Sequence, residues 1–296
     1  MSLKFLLNDG AHIPWLGFGT GTAFYGKDAT AAVRAAIETG VLHLDGAQAY
    51  RNEETIGQAI SLSGAPRDRL YITTKLAESP SENSVKNTLK SSLKKLGVDY
   101  VDLFLIHSPV TALKEGKLKQ WWNEMEEIKT EGLAKSIGVS NFTVEHLQVI
   151  LEDAKVVPAV NQARVLFQKT FVHPYTWDTA SSIYDFCKEK GILIESYGGL
   201  SPIFRATGGP VDPVLAIASE RLSKASGNPV SSGQVLTKWL IQKGMVVVTT
   251  SSKVSRIQEA LATTALPDLT TDEITAIETE GVKWHRRFFM KHVFNE

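Results

Sequence analysis

Two kinds of segment alternate along the chain. Short apolar or β-branched runs occur at Trp15–Thr20, Leu42–Leu44, Leu70–Thr74, Val101–Ile106, Ser136–Val139, Ala159–Val160, Ile192–Ile194 and Met245–Val248. Most are continuously apolar, which predicts parallel strands covered on both faces. Segments of helical periodicity lie between them. Asp28–Thr39 carries Val33, Ala36 and Ile37. Ser81–Leu96 opens on a capping serine and stops at Gly97, and Leu118–Glu131 carries Trp121, Trp122, Met125 and Ile128 before Gly132. Thr143–Asp153, Asp178–Lys190, Pro229–Lys243 and Thr271–Thr279 follow, with Pro229 suited to a first helical turn. Ahead of the first run, Leu3–Leu7 and His12–Pro14 flank Asn8-Asp9-Gly10, a hairpin signal. Eight β/α units without a composition break predict one domain over residues 1–296, a (β/α)8 TIM barrel with an N-terminal hairpin. A doubly wound open sheet is the alternative. It calls for a Gly-rich turn after the first strand, and Gly17-Phe-Gly19-Thr-Gly21-Thr22 places Thr22 where the third small residue belongs. Gly198–Asp212 is the longest irregular stretch and has the length of a lid at the C-terminal face. The tail after Gly281, with Trp284, Phe288, Phe289 and Phe294, lacks a helical stripe and is expected to pack as a loop.

Composition narrows the function classes. The 296 residues include 32 Lys+Arg and 32 Asp+Glu, so zero net charge gives no electrostatic pull toward nucleic acid or an anionic membrane. The basic positions in Lys86–Lys95 fall at helical spacing and predict a solvated face. The single cysteine, Cys187, excludes an intrachain disulfide and a Cys-based zinc site, and its apolar neighbours predict an inert buried thiol. His12, His146, His173, His285 and His292 lack metal-ligand spacing, so no metal is expected. There is no Gly-x-Ser-x-Gly elbow for acyl transfer. No secretory leader or run of ~20 apolar residues stands out, which predicts a cytoplasmic, soluble protein.

The candidate chemistry lies at the strand ends. Almost every apolar run meets a polar residue at its C-terminal end: Thr20, Asp45, Lys75, His107, Ser140-Asn141, Gln162, Tyr197 and Ser251. In a (β/α)8 barrel these ends converge on the face that carries active sites. Strands must stop somewhere, and that alone accounts for Thr20 and Ser251. It accounts poorly for Lys75, a charge at a barrel mouth that needs a partner, which Asp45 can supply. His43 shares the side of its strand with Asp45 and is expected to be a satisfied interior histidine.

These same residues resemble a family. Leu16-Gly-Phe-Gly-Thr20, His43-Leu-Asp45-Gly-Ala-Gln-Ala-Tyr50-Arg-Asn-Glu53, Thr73-Thr-Lys75, Leu103-Phe-Leu-Ile-His107, Ile137-Gly-Val-Ser-Asn-Phe142 and Val160-Asn-Gln162 are similar, in order, to the successive signatures of the aldo-keto reductases. Val248-Thr-Thr-Ser-Ser-Lys253 and the aromatic tail most resemble fungal conjugated polyketone and ketopantoyl lactone reductases. The resemblance implies an NADPH-dependent carbonyl reductase with a catalytic tetrad of Asp45, Tyr50, Lys75 and His107. Hydride reaches a carbonyl carbon, and the oxygen left behind must be protonated. Tyr50 is the implied general acid. An ordinary phenol releases its proton near ~10, and a neighbouring ammonium favours that release. Lys75 would supply the charge, Asp45 would hold Lys75, and His107 would orient and polarise the carbonyl.

The resemblance also implies a cofactor path. Ser140, Asn141 and Gln162 would bind the carboxamide, with Asp45 beside them, and Tyr197 would stack on the nicotinamide. Gly19, Thr20 and Gly21 would let the backbone approach the reacting end, and Leu200 would lie over the pyrophosphate. At the adenosine end the family pattern is a lysine and serine, then an arginine, a glutamate and an asparagine. Here Thr250 and Ala260 stand at the lysine and asparagine positions, while Ser251, Arg256 and Glu259 are kept. Ser252 and Lys253 complete the candidate phosphate site, ahead of a short helix whose N–H groups attract anions. Phe24, Tyr25, Phe204 and Trp284 are candidate substrate-pocket aromatics. The expectation is a monomeric reductase of small ketones, aldehydes or dicarbonyls. The alternative is a non-catalytic NADP(H)-binding regulatory or sensor subunit on the same barrel, for which all four tetrad groups would be superfluous.

Overall fold

The apolar runs form eight parallel strands that close on themselves in the computed structural model, which describes residues 3–77, 84–163 and 173–285. Lys4–Leu6 (β1) and His12–Pro14 (β2) pair as an antiparallel hairpin. The barrel then takes Leu16–Gly19 (β3), His43–Asp45 (β4), Tyr71–Leu76 (β5), Val101–Ile106 (β6), Ala134–Ser140 (β7), Val160–Ala163 (β8), Leu193–Tyr197 (β9) and Val246–Thr249 (β10) in sequence order. Pairing of β10 with β3, Val247 opposite Leu16, closes it. The (β/α)8 expectation holds, and the open doubly wound sheet does not.

Strand alternation divides the apolar residues into two cores. Outward positions such as Phe18, Leu44, Ile72, Phe104, Ile106 and Val247 pack against the surrounding helices. The inward positions Tyr71, Leu103, Leu105, Val160 and Val246 form a separate cluster with Leu7 and Ile13 of the hairpin segment. The hairpin thus plugs the N-terminal end of the barrel with apolar side chains. Higher in the barrel the inward positions turn polar, and several strands run further than the apolar runs predicted. β5 continues through Lys75 to Leu76, and β9 runs from Leu193 through Glu195 to Tyr197.

The helices are Thr30–Thr39 (α1), Glu53–Ser63 (α2), Val85–Leu96 (α3), Val110–Lys114 (α4), Leu118–Thr130 (α5), Val144–Leu151 (α6), Trp177–Glu189 (α7), Ser201–Arg205 (α8), Val211–Ser226 (α9), Ser232–Gln242 (α10), Val254–Ala262 (α11) and Thr271–Val282 (α12). The expected start of the third at Ser81 lies outside the described residues, and the Ser84 hydroxyl caps α3 by accepting from Asn87 N at 3.4 Å. Helix α10 starts at Ser232 rather than Pro229. Ser231 and Gln234 form a reciprocal capping box there, which satisfies the first N–H groups after Pro229 has passed. The stretch Gly198–Asp212 is not irregular throughout, since it contains α8 and the start of α9. Helix α9 buries Val211, Leu215, Ala218 and Leu222 in a helical stripe, which the preceding Gly208-Gly209-Pro210 disguised as loop. Phe288, Phe289 and Phe294 lie outside the described residues. Among the described residues no helix is long and apolar enough to cross a membrane. Cys187 is buried on α7, and burial pushes its thiol up to about 12.

Gly57, in the middle of α2, marks a close helix contact. A Cβ there would stand 2.5 Å from the Lys95 carbonyl oxygen and 2.9 Å from that of Leu96, both at the end of α3. Helix propensity alone favours alanine at such a site by about 1 kcal/mol. The clash with backbone should outweigh it, so Gly57→Ala is expected to lower the midpoint of denaturant unfolding. A raised midpoint would contradict the packing described.

Candidate active site

The inward polar side chains meet at the C-terminal mouth of the barrel. Lys75 is fully buried and Asp45 nearly so. The Lys75 ammonium donates to Asp45 Oδ1 at 2.8 Å, Asp45 Oδ2 at 2.7 Å and the Gly46 carbonyl at 2.8 Å. Burial by itself would pull the lysine pKa down. Asp45, and after it Tyr50, outweigh burial and hold the ammonium above its ordinary value. Gln162 Nε2 donates to Asp45 Oδ2 at 2.7 Å from the opposite side. The carboxylate is therefore fixed by two neighbours, and it fixes the ammonium in turn.

Tyr50 projects over this pair from a single 3-10 turn, Gln48–Tyr50, that follows β4. Its ring centroid is 5.0 Å from Lys75 Nζ. Its ring meets the His107 ring edge-on, with centroids 5.4 Å apart and planes at 82°. The sequence explains the placement locally. A Cβ at residue 21 would lie 2.5 Å from Tyr50 Cζ, so Gly21 leaves the space that the ring occupies. Asn52 Nδ2 donates to the Thr20 and Phe24 carbonyls at 3.1 and 2.7 Å, tying the tyrosine turn to the loop after β3. Gln48 Nε2 donates to the Thr88 carbonyl and Ser92 hydroxyl, and Gln48 Oε1 accepts from Ala77 N. The buried Glu53 accepts from Thr74 at 2.7 Å and Ser92 at 3.2 Å, and burial raises its pKa. Gln48, Asn52 and Glu53 sit within the sequence motif around Tyr50, but only the structure shows them as its anchors.

Part of the expected cofactor set lines two adjoining clefts, while Thr20, Ser140, Asn141, Gln162, Ser252 and Lys253 line neither. A cleft of about 220 Å³ is lined by Gly19, Gly21, Asp45, Tyr50, Tyr197, Leu200 and Phe204, together with Ser201, Arg205 and Thr250. A second, of about 610 Å³, continues from the shared residues Leu200, Phe204 and Thr250 to Ser251, Arg256 and Glu259. Arg256 lies over the Phe204 ring, 5.6 Å from its centroid. The Ser251 hydroxyl accepts from Lys253 N at 3.0 Å, and Ser252 and Lys253 are exposed just before α11. The Ser231 hydroxyl donates to Glu259 Oε1. Thr20 is buried behind Asp45, with its hydroxyl 3.3 Å from the Asp45 carbonyl oxygen. Ser140 Oγ donates to the Gln162 carbonyl at 2.9 Å. Asn141, in the left-handed region at φ 65°, donates from Nδ2 to the His107 carbonyl at 2.7 Å.

The candidate pocket aromatics divide. Phe204 is an exposed wall of both clefts, and Tyr25 is exposed with its ring 6.5 Å from that of Tyr50. Phe24 and Trp284 line neither cleft. Phe24 packs against the core, 6.3 Å from the Phe18 ring, and Trp284 packs edge-on against Tyr175 at 5.5 Å. Arg205 was not anticipated, because its short helix falls in a stretch that reads as loop. Glu195, a buried carboxyl level with Gln162 on the next strand, was also missed. Among the described residues no group of three or more His, Cys, Asp or Glu side chains is arranged to hold a metal ion.

Comparison with known proteins places this arrangement. The model of the aldo/keto reductase family matches residues 15–280. An NAD/NADP-dependent indole-3-acetaldehyde reductase of Schizosaccharomyces pombe is 36% identical over 292 residues, covering 96% of this chain and 97% of that protein. An NADPH-dependent alpha-keto amide reductase of Saccharomyces cerevisiae is 35% identical over 297 residues, covering 94% and 91%. The crystal structure of a Bombyx mori aldo-keto reductase in complex with NADP superposes with a TM-score of 0.81 at 29% identity, covering 100% of this chain and 97% of that one. The chain belongs to the aldo/keto reductase family.

Proposed function

We propose that this protein reduces aldehydes, ketones or dicarbonyl compounds with NADPH, and that Tyr50 is the general acid. The observation that carries this reading is the convergence of Tyr50, His107 and the Asp45-clamped Lys75 at the head of the groove. Two buried polar atoms without partners among the described residues suit a nicotinamide nucleotide in that groove. Asn141 Oδ1, beside Ser140 and Gln162, can accept from a carboxamide N–H, and Thr250 Oγ1 stands at the junction of the two clefts. Tyr197, Leu200 and Arg205 line the stretch between, and Arg256 in the second cleft, with Lys253 exposed just before α11, supplies cations for a 2′-phosphate. The relatives named for NADPH- or NAD/NADP-dependent reduction support the same cofactor class.

When bound, NADPH supplies the hydride for the carbonyl carbon. The protein's own groups handle the oxygen. The His107 imidazole orients the carbonyl and stabilises the charge that develops on it. Tyr50 releases its hydroxyl proton to that oxygen. The Lys75 ammonium, about 5.0 Å from the Tyr50 ring, favours the phenolate left behind. In a site of effective dielectric near 20, a unit-charge interaction at ~4 Å is worth about 4 kcal/mol, enough to change proton release by orders of magnitude. Asp45 and the Gly46 carbonyl keep Lys75 charged and in place although it is buried.

Three measurements check this reading. Tyr50→Phe is expected to slow carbonyl-dependent NADPH oxidation by about 10²- to 10⁴-fold, with the NADPH dissociation constant nearly unchanged. Equal losses of rate and binding would make Tyr50 structural, and a wild type that turns over no carbonyl compound would favour the nucleotide-binding sensor. Lys75→Met should lower kcat and move the alkaline limb of the pH–rate profile upward, because the charge that aids proton release is gone. An unmoved limb would remove Lys75 from that role. At the far end of the groove, Arg256→Ala should raise KM for NADPH about tenfold, as expected for one charge-assisted contact, and leave that for NADH little changed. Equal effects on both cofactors would show that Arg256 does not read the 2′-phosphate.

A further inference from the structure

The chemistry above uses the carboxylate of Asp45 and leaves a second carboxyl in the barrel interior without a task. Glu195 lies on β9, opposite Gln162 on β8 and Val246 on β10. It is fully buried, and the one side-chain amide beside it, Gln162, directs its Nε2 to Asp45 Oδ2 at 2.7 Å and eases the burial of Glu195 only in part, leaving both carboxyl oxygens without a well-formed hydrogen bond among the described residues. The titratable groups that face it are His43 and Asp45 from β4 and Tyr71 and Lys75 from β5. None of them can neutralise a carboxylate there. Lys75 already meets three acceptors, the two Asp45 oxygens and the Gly46 carbonyl, for its three N–H donors. His43 Nε2 stands 3.6 Å from Glu195 Oε1, but it lies 2.9 Å from the Thr73 hydroxyl instead. Burial pulls the His43 pKa down to about 4, so this ring is neutral at pH 7. Asp45 repels a second negative charge, and Tyr71 offers none of the opposite sign. A buried carboxyl in these surroundings keeps its proton. Burial first, and the Asp45 charge second, push the Glu195 pKa up to about 8.

We propose that Glu195 is a positioning residue for the reduction. Held as a neutral carboxylic acid, it withholds a second negative charge from beneath Asp45 and leaves the field of Lys75 directed at Tyr50. When Glu195 loses its proton in alkali, Lys75 faces two carboxylates, the phenol gets less help in releasing its proton, and turnover slows. This inference rests on the reductase reading of the same site.

Glu195→Gln and Glu195→Met replace the carboxyl with neutral side chains of similar length. The first readout needs neither cofactor nor substrate: thermal unfolding of the full chain between pH 5 and 9. A group whose pKa is raised on folding binds more protons in the native state, so it takes stability away as pH rises from the ordinary carboxylate range to about 8. Both variants lack that loss. Their Tm should therefore gain on the wild type by several degrees across this interval, and a difference that does not vary with pH overturns the proposal. The second readout is kcat against pH with NADPH and a carbonyl substrate. The fall-off near pH 8 in the wild type should move to higher pH in both variants, whereas a merely structural carboxyl would leave its position unchanged. An identical limb overturns the proposal. If the wild type reduces no carbonyl compound, the reductase reading fails while the unfolding series still decides the protonation of Glu195. If neither variant folds, the proposal is overturned, because a neutral acid should be replaceable by a neutral side chain of its size.

Discussion

One contact organises the mouth of this barrel: the ammonium of Lys75 closed between the Asp45 carboxylate and the Gly46 carbonyl. A pair this deeply buried is a poor device for stability alone. Removing two ions from water costs several kcal/mol each, and an apolar pair of the same volume often serves a fold as well. Its presence is explained by what it delivers, a fixed positive charge beside a phenol where water cannot screen it. Removing either partner would strand the other charge, so geometry and charge state stand or fall together.

The rest of the barrel serves that charge in identifiable ways. Strand alternation sends Leu103, Leu105, Val160 and Val246 into the lower interior, where the hairpin residues Leu7 and Ile13 seal them from solvent. The polar layer above is thereby left with one open side, toward the groove. Gly21 makes room for the Tyr50 ring, and Asn52, Gln48 and Glu53 bind the turn that carries it to three neighbouring segments. Gln162 reaches across from β8 to Oδ2 of Asp45, which the Lys75 ammonium also holds. The Tyr50 ring is thus located by packing and hydrogen bonds within the protein itself.

Much of this was legible in the chain. Continuous apolar runs predict parallel strands because both strand faces are covered, and polar residues at their ends point to the functional face. What escaped has several physical causes. An apolar run ends where a charge or amide begins, so Ile192–Ile194 stops short of Glu195 and Leu70–Thr74 short of Lys75. In the barrel both strands continue, because inward polar side chains at the mouth partner one another or lose their charge. Helix α9 was hidden by the Gly-Gly-Pro before it, although Val211, Leu215, Ala218 and Leu222 carry the stripe. Phe24 and Trp284 are aromatic residues near these loops that line neither cleft, and sequence does not say whether an aromatic ring faces a groove or the packing behind it. Spatial neighbours such as Arg256 and Phe204 are far apart in the chain and leave no joint signal.

The central claim is that Tyr50 and His107 share one reacting oxygen, with Lys75 behind the phenol. A crystal structure of the protein with NADP+ and a carbonyl-containing inhibitor tests it most directly. The account predicts the inhibitor oxygen within hydrogen-bond distance, about 2.6–3.2 Å, of both the Tyr50 hydroxyl and the His107 imidazole. It also predicts the nicotinamide against Tyr197 and its carboxamide on Asn141. An oxygen bound away from Tyr50, or a nicotinamide outside the groove headed by Asp45 and Tyr50, would contradict it.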